Sequence, residues 1–388
     1  MKNFSYYMPS RIFFGPGELN RLATEPLPGK KALLVVSAGR SMKDYGYLDR
    51  VRELLQKNGV PSVVFDRILP NPLKSHVMEG AALARAEGCD FVVGLGGGSS
   101  IDSAKSIAVM AANDGDYWDY IHGGTGKGMP VLRAPLPVVA ITTTAGTGTE
   151  ADPFTVITKE ETGEKIGFGC DGTFPVISIV DPDLMTSVPA HLTAYQGFDA
   201  LFHSTEGYIA GCSTFMSDMY ALKAIQLIGT YLPRAVKNGE DKEARTMVAL
   251  ANTLSGMVES TSSCTSEHSL EHALSGYHPK LPHGAGLIMV SLAYYRTFAA
   301  DVPQRYIDMA RALGRPDADK AADFVDALAD LQKACGVDEL KMSDYGVDGS
   351  DLRKYALHAL DTMGGLFKVD PRRLTVEEIT AILAASYR

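Results

Sequence analysis

The chain has 388 residues, of which 45% are hydrophobic and 21% charged, enough apolar material for two domains with buried cores. Its formal net charge of −9 at pH 7 and the lack of any basic run argue against nonspecific binding to nucleic acid. No apolar stretch reaches the roughly 18 residues that a membrane-spanning helix needs, so we expect no membrane partner.

Five cysteines are scattered along the chain, and none forms a CxxC pair. This usage favours reduced thiols over a disulfide framework. The first residues also lack the apolar segment and small-residue cleavage site of a secretory signal. We therefore expect a cytoplasmic protein.

Short β-branched runs alternate with amphipathic helical segments in the first half of the chain. The alternation predicts an α/β domain with a largely parallel sheet. The predicted strands cover residues 31–36, 62–65, 90–96, 135–142 and 176–180.

The hydrophobic period becomes helical after about residue 185, and few strand signals remain. Pro182 and Pro189 mark the change. We therefore predict an α/β domain over residues 1–185 and an all-helical domain over residues 186–388.

A glycine-rich segment, GLGGGSSIDSAK, begins at Gly94 where a predicted strand ends, and it runs directly into a predicted helix. Glycines let the backbone approach a ligand, Ser99 or Ser100 suits the helix N-cap, and a helix N-terminus favours a phosphate. The segment matches neither GxGxxG nor the P-loop, and a plain strand-to-helix turn is the alternative interpretation. A second loop, ITTTAGTGTEAD, follows another predicted strand, and the two loops together favour a nucleotide site.

Four histidines and an aspartate fall at spacings that suit a metal site with one carboxylate and several imidazoles. Asp199 and His203 lie four residues apart, His268 and His272 lie four apart, and His283 follows in a predicted Pro-His-Gly turn. Residues four apart share one helix face, so two facing helices would present several imidazoles and one carboxylate. That donor set suits Zn²⁺ or Fe²⁺. A lone His203 would more simply be a core histidine, but its partners favour the metal site.

The chain resembles the iron-containing (group III) alcohol dehydrogenase family in GGGSSIDSAK, TTTAGTGTE, GFDALFHSTEGY and LPHG, which occur in this order, and the resemblance covers nearly the whole length. It implies a Rossmann-like N-terminal domain and an all-α C-terminal domain. It also implies hydride transfer between NAD(P)H and a small alcohol, diol or aldehyde. The implied metal is Fe²⁺, with Zn²⁺ as the alternative, and the implied assembly is a homodimer or larger.

Carried over by position, the resemblance gives metal ligands at Asp199, His203, His268 and His283. It gives His272 a place beside the nicotinamide and the substrate, where we expect a proton relay, although a purely supporting histidine is the simpler alternative. The cofactor contacts that it implies are Asn71 near the adenosine half, Lys165 near the nicotinamide ribose, and Gly97, Gly98, Ser99, Asp102, Thr143, Thr144 and Thr147 in the two loops.

Several positions depart from the family pattern. Glu259, Glu267 and Glu271 stand where small or apolar residues are more usual, so we predict a more polar pocket than a simple alkanol needs. The segment from His272 to His283 is one residue longer than expected. Residues 152–154, Asp-Pro-Phe, replace hydroxyl and aliphatic residues.

The loop after the strand 31–36 bears on the choice of nicotinamide cofactor. An acidic residue there would bind the ribose 2′-hydroxyl and repel a 2′-phosphate. This loop instead reads SAGRSMK, with two cations and no acid before Asp44. We therefore predict contacts from Gly39 and Ser41 and a preference for NADP(H), with NAD(H) as the alternative.

Three other functions fit parts of the pattern: a zinc polyol dehydrogenase, a lyase resembling dehydroquinate synthase, and a metal- or nucleotide-binding sensor without catalysis. A lyase acting on a phosphorylated substrate would need several cations near the histidines, where the sequence offers only Lys280. A sensor would need no His272 beside the cofactor.

Overall fold

The computed structural model describes residues 3–388, which divide into two compact units. The sheet unit contains Met8–Thr144 and Thr149–Ser187. The helical unit contains Val188–Arg388 together with residues 3–7 and the short segment Ala145–Gly148.

A six-stranded parallel sheet forms the centre of the sheet unit, with strand order β1-β8-β5-β4-β2-β3. The parallel sheet and its five predicted strands are confirmed. Inner strands are buried along their length, as expected where helices cover a parallel sheet. The six strands are β1 (Arg11–Phe14), β2 (Ala32–Ser37), β3 (Ser62–Ile68), β4 (Phe91–Gly96), β5 (Val138–Thr142) and β8 (Ile177–Val180).

The sequence analysis missed three strands. The strand β1 has four residues and lies at the sheet edge, so its hydrophobic signal is short and only partly buried. The strands β6 (Thr155–Lys159) and β7 (Glu164–Phe168) form a separate antiparallel hairpin, whose turn includes Gly163 at φ 69°. A positive φ of this kind is typical of glycine in tight turns.

Four helices belong to the sheet unit. Gly94 lets α4 pack closely on β4, because a Cβ at this position would lie 3.0 Å from both Ala104 Cβ and Ile101 Cα. The close packing places the start of α4 directly after the end of its strand. The four helices are α1 (Ser41–Asp44), α2 (Tyr47–Lys57), α3 (Lys74–Ala86) and α4 (Gly98–Ala112).

The helical unit confirms the predicted all-α region, which begins at Ala190, directly after Pro189. Among residues 3–388, none of its helices combines the length and apolarity needed to cross a bilayer. All five cysteines are free. The helices are α5 (Ala190–Ile209), α6 (Phe215–Lys237), α7 (Lys242–Thr261), α8 (Ser266–Tyr277), α9 (His283–Phe298), α10 (Pro303–Ala312), α11 (Ala322–Ala334), α12 (Leu352–Met363) and α13 (Val376–Ser386).

A fully buried lysine, Lys105 on α4, joins the glycine segment to the segment before β6. Its Nζ donates to Thr149 Oγ1 at 2.6 Å, to the Phe154 carbonyl at 2.7 Å, and to the carbonyl and Oδ1 of Asp152 at 2.9 and 3.1 Å. Burial raises the pKa of Asp152 to about 7, although the charge of Lys105 opposes the shift. The Asp-Pro-Phe departure from the family pattern is therefore held in place by a buried ion pair.

Replacing Lys105 with Met should destabilise the sheet unit strongly, because it leaves the Asp152 carboxylate buried without its cation. We expect a loss of about 3–5 kcal/mol in the free energy of unfolding at about pH 8, where Asp152 is ionised. Urea unfolding followed by the fluorescence of Trp118, the only tryptophan of the chain, measures this unit directly. The double variant Lys105→Met/Asp152→Asn should recover part of the loss; a single-variant loss below about 1 kcal/mol would contradict the buried-pair interpretation.

Candidate metal centre and cofactor loops

Three helices of the helical unit carry the four predicted metal ligands. Asp199 and His203 lie in the middle of α5, and His268 is the third residue of α8. His283 is the first residue of α9, after Pro282 as its N-cap. The prediction of a turn at His283 is therefore wrong, because the chain enters a helix directly after the extended Pro282. The site needs three helices, where the spacing predicted two.

The Asp199 carboxylate lies at the centre of the histidine cluster. Its Oδ1 is 3.6 Å from His203 Nε2, 3.5 Å from His268 Nε2 and 3.4 Å from His283 Nε2. Ligands about 2.1 Å from a tetrahedral metal ion lie about 3.4 Å apart, so these separations match a shared ion. Asp199 Oδ1 and His268 Nε2 are buried and have no hydrogen-bond partner among residues 3–388. These donors fit a divalent metal.

The four donors are not equivalent in this arrangement. Single donor atoms of Asp199, His268 and His283 all lie within 4.8 Å of one another, whereas His203 forms a second such group with Cys264 and His268. The rings of His203 and His268 are stacked, with centroids 4.4 Å apart. The sequence analysis did not anticipate Cys264, although it lies four residues before His268 in CTSEH.

The Nδ1 atom of each candidate ligand histidine also has a polar neighbour. His268 Nδ1 donates to Glu206, His283 Nδ1 donates to Glu271, and His203 Nδ1 lies 3.3 Å from the Gly146 carbonyl. Hydrogen bonds at Nδ1 fix the ring orientation and leave Nε2 as the metal-binding atom. Glu206 was missed, but it lies seven residues after Asp199, which places it on the same face of α5.

The ionisable groups of the cluster are shifted in different directions by burial and by one another. Burial raises the pKa of Asp199, but the neighbouring imidazoles of His203, His283 and His268 outweigh it and keep that pKa well below its usual value. Burial lowers the pKa of His203 to about 3, so its ring is neutral, as a metal ligand must be. Burial also lowers the pKa of His268, but Cys264 and Glu206 reverse the shift and raise it well above its usual value.

His272 lies one turn after His268 on α8, next to the cluster. Its ring centroid is 5.3 Å from that of His283 and 6.2 Å from that of His268. Its Nδ1 lies 2.8 Å from Met363 Sδ. His272 is outside the three-donor group around Asp199, but it forms a neighbouring group with Glu271 and His283.

The three glutamates that depart from the family pattern occupy different places. Glu259 Oε1 lies 3.3 Å from His203 Nε2, and Glu271 contacts His283. Glu267 is fully buried beside Tyr295 and Glu206. Two of the three thus lie against candidate metal ligands, and Glu267 lies within the helical core.

The glycine segment of the sheet unit has the predicted strand-to-helix form: β4 ends at Gly96 and α4 begins at Gly98. Gly97 is the N-cap, and no side chain caps the helix, so the predicted cap by Ser99 or Ser100 is wrong. Both serines lie within the first helical turn, because the helix begins earlier than expected. The first-turn amides and the helix dipole still favour an anion at this end.

The hydroxyl-rich loop lies against the glycine segment. Thr143 N donates to the Gly96 carbonyl at 2.9 Å, and a Cβ on Gly97 would lie 2.8 Å from Thr144 Oγ1. Glycine at position 97 therefore permits this close approach. Thr147 belongs to the short segment that is part of the helical unit.

Two other predicted cofactor residues, Asn71 and Lys165, are hydrogen bonded to each other, with Lys165 Nζ 3.0 Å from Asn71 Oδ1. Asn71 has φ 54°, a conformation that Asn tolerates better than most residues. The family pattern assigned these two side chains to opposite halves of the dinucleotide. Because the two side chains contact each other, we expect both to contact the same part of a bound dinucleotide.

Asp102 and the loop after β2 complete the predicted set. The Asp102 carboxylate accepts hydrogen bonds from Thr149 Oγ1 at 2.7 Å and from Val156 N at 2.9 Å. Both of its oxygens are therefore engaged in bonds within the sheet unit. Gly39 follows β2, and Ser41 is the first residue of α1.

The cations of this loop have acidic neighbours. Arg40 lies 3.3 Å from Asp44, and Lys43 lies 2.6 Å from Asp66 on β3. The side chain of Arg40 is 87% exposed and thus open to a ligand.

Comparison with known proteins agrees with this arrangement. Residues 9–182 match the family model for iron-containing alcohol dehydrogenase, and residues 193–387 match the model for the C-terminal part of the same family. The chain is 34% identical to 1,3-propanediol dehydrogenase of Klebsiella pneumoniae over 99% of both proteins. It is 33% identical to NAD-dependent methanol dehydrogenase of Bacillus methanolicus over 98% of both.

Solved structures give the same result. An archaeal halo-thermophilic alcohol dehydrogenase from a Red Sea brine pool, bound to NZQ, has a TM-score of 0.95 and 35% identity over the full length of both chains. NADH-dependent butanol dehydrogenase A of Thermotoga maritima has a TM-score of 0.90 and 28% identity over 100% of this chain and 99% of that one. The chain therefore belongs to the iron-containing alcohol dehydrogenase family, and it is a metal-dependent alcohol dehydrogenase.

Proposed function

We propose that this protein interconverts small alcohols or diols and their aldehydes, with NADP(H) as the hydride carrier and Fe²⁺ as the resident metal, Zn²⁺ being the alternative. The observation that carries the proposal is the convergence of three imidazole Nε2 atoms, at 3.4–3.6 Å, on one buried carboxylate oxygen. Family membership favours this reaction over the sensor and the lyase.

The ligand set is proposed to be Asp199, His203, His268 and His283. A metal bound by three neutral imidazoles and one carboxylate keeps a net positive charge. When bound, it supplies Lewis acidity that polarises a carbonyl oxygen and lowers the pKa of an alcohol. The four proposed ligands would hold the positive charge of the metal among buried side chains.

His272 is the proposed proton relay. Its ring lies beside two of the ligand histidines, yet it is not one of the donors around Asp199. An imidazole titrates near neutral pH and can pass a proton between a substrate oxygen and solvent. A bound nicotinamide would supply the hydride chemistry, and the contribution of His272 would be proton transfer.

The dinucleotide is proposed to place its pyrophosphate at Gly97, Gly98 and Ser99, where the N-terminus of α4 favours negative charge. Thr143 and Thr144 lie against this turn. Thr147 and Asp102 remain predicted contacts, the latter with its carboxylate engaged by the protein. Asn71 and Lys165 are assigned jointly to one part of the cofactor, since they contact each other.

NADP(H) is proposed over NAD(H) because the loop after β2 has no acid before Asp44 to exclude a 2′-phosphate, and it contains Gly39, the exposed Arg40 and Ser41. Relatives named for NAD or NADH dependence keep NAD(H) as the alternative. Five free cysteines support a reducing cytoplasmic location, and a homodimer or larger assembly is the family-level expectation.

Removing one central ligand should remove the metal. In His268→Ala, we expect the iron or zinc content to fall to background and activity to fall at least about 100-fold, because Asp199 loses one of its three imidazole partners. Elemental analysis after anaerobic purification measures the metal. His278→Ala is the control, because His278 lies at the end of α8 and bonds to Tyr355. Retained metal in His268→Ala would overturn the ligand assignment.

Removing the proposed relay should separate metal binding from turnover. His272→Ala should keep its metal, while kcat falls about 100-fold and the pH dependence of kcat changes, because proton transfer loses its imidazole. Elemental analysis and steady-state rates across pH test both parts. Loss of metal would instead identify His272 as a ligand.

Introducing an acid after β2 should reverse the cofactor preference. A Cβ at Gly39 would lie 3.7 Å from Ser37 Oγ, an ordinary contact, so Gly39→Asp fits without strain. We expect the ratio of kcat/KM for NADPH over NADH to fall roughly tenfold or more, and Arg40→Asp to act in the same direction. Arg11→Asp, on the opposite sheet edge, is the control. A wild-type kcat/KM for NADH equal to or above that for NADPH would refute the preference.

A further inference from the structure

The side chain of Glu271 is placed to act on one metal-ligand candidate. Glu271 lies on α8, is fully buried, and accepts a hydrogen bond from Nδ1 of His283. The opposite ring nitrogen of His283 lies 3.4 Å from Asp199 Oδ1. The imidazole therefore lies between two carboxylates, one on each nitrogen.

His283 needs such support more than the other histidines do. Its side chain is 23% exposed, against 7% for His203 and 5% for His268. It is also the first residue of α9, with no preceding helical turn to limit its rotation. Of the three histidine rings, that of His283 is therefore restrained least by packing. Its orientation depends mainly on the hydrogen bond to Glu271.

Gly286 provides the space that Glu271 occupies. It lies three residues after His283, on the same face of α9. A Cβ at Gly286 would lie 2.8 Å from Glu271 Cγ and 3.0 Å from its Oε1. Since both residues are buried, an alanine here would push the carboxylate from its present position.

We propose that Glu271 is a positioning residue that fixes the ring of His283 with Nε2 toward the metal, and that Gly286 is the helical residue that makes this placement possible. The proposal rests on the proposed metal centre. Carboxylates that hold the second nitrogen of a ligand histidine typically change metal affinity or activity about 10- to 100-fold when removed. Glu271 thus sets how tightly the site holds its ion.

The test measures metal affinity directly. Wild type and variants are stripped of metal, and their Kd for Co²⁺ is measured by competition with a chromophoric chelator, together with the Co²⁺ absorption spectrum. Glu271→Ala should weaken Co²⁺ binding about 10- to 100-fold and alter the spectrum. Gly286→Ala should have the same effect without removing the carboxylate. Glu271→Gln should weaken binding less, because its amide oxygen still accepts from Nδ1.

Ser269→Ala is the matched control, since Ser269 is also a fully buried polar residue of α8, but its hydroxyl donates to the Ala359 carbonyl of α12. It should bind Co²⁺ within about twofold of wild type. Far-UV circular dichroism must show that each variant is folded, and Glu271→Gln, the most conservative change, decides the question if the alanine variants unfold. Unchanged Co²⁺ affinity and spectrum in folded Glu271→Ala and Glu271→Gln would overturn the proposal.

Two further outcomes are distinguishable. Normal Co²⁺ affinity with a changed pH profile of kcat in Glu271→Gln would make Glu271 part of proton transfer with His272, and would also overturn a positioning role. Failure of wild type to bind Co²⁺ at all would refute the proposed metal centre itself.

Discussion

The carboxylate of Asp199 is the constraint on which the helical unit depends. Burying a carboxylate costs several kcal/mol unless a cation or hydrogen bonds compensate it. Here its Oδ1 lies among three imidazole nitrogens and has no hydrogen-bond partner among residues 3–388. The neighbouring imidazoles keep the pKa of Asp199 well below its usual value, and the proposed metal ion would add to that stabilisation and couple its binding to the packing of three helices.

The positions of the helices follow from this requirement. α5 supplies two donors one turn apart, and α8 and α9 each supply one from their first turn. Gly284, the second residue of α9, allows the helix to approach α5, because a Cβ there would meet the Tyr195 backbone. Close packing of α9 therefore brings His283 to the carboxylate, and Glu206 and Glu271 then fix two of the rings.

Local patterns in the sequence were sufficient to predict the parallel sheet, the helical second half and the grouping of Asp199 with three histidines. In each case neighbouring residues carry the information: period-two or continuous apolar runs for strands, and i, i+4 pairs on α5 and α8. The hairpin β6–β7 and the edge strand β1 were missed, since short, half-buried strands have weak patterns. Glu206, Glu271 and Cys264 could not be assigned roles, because their partners come from other helices or depend on ring orientation. The helix start at Gly98 was misjudged because Ser99 and Ser100 are good caps in isolation.

The two units compensate a buried carboxylate in different ways. In the sheet unit, Lys105 brings its own charge to Asp152, and every proton of its ammonium has an oxygen acceptor, so the pair is complete without any ligand. In the helical unit, the partners of Asp199 are histidines, and burial lowers the pKa of His203, whereas Cys264 and Glu206 raise that of His268. A neutral ring compensates a carboxylate charge poorly, yet it is a good donor to a metal. A lysine at the centre of this cluster would complete the ion pair as in the sheet unit, whereas imidazoles leave a set of donors that the proposed metal ion would use.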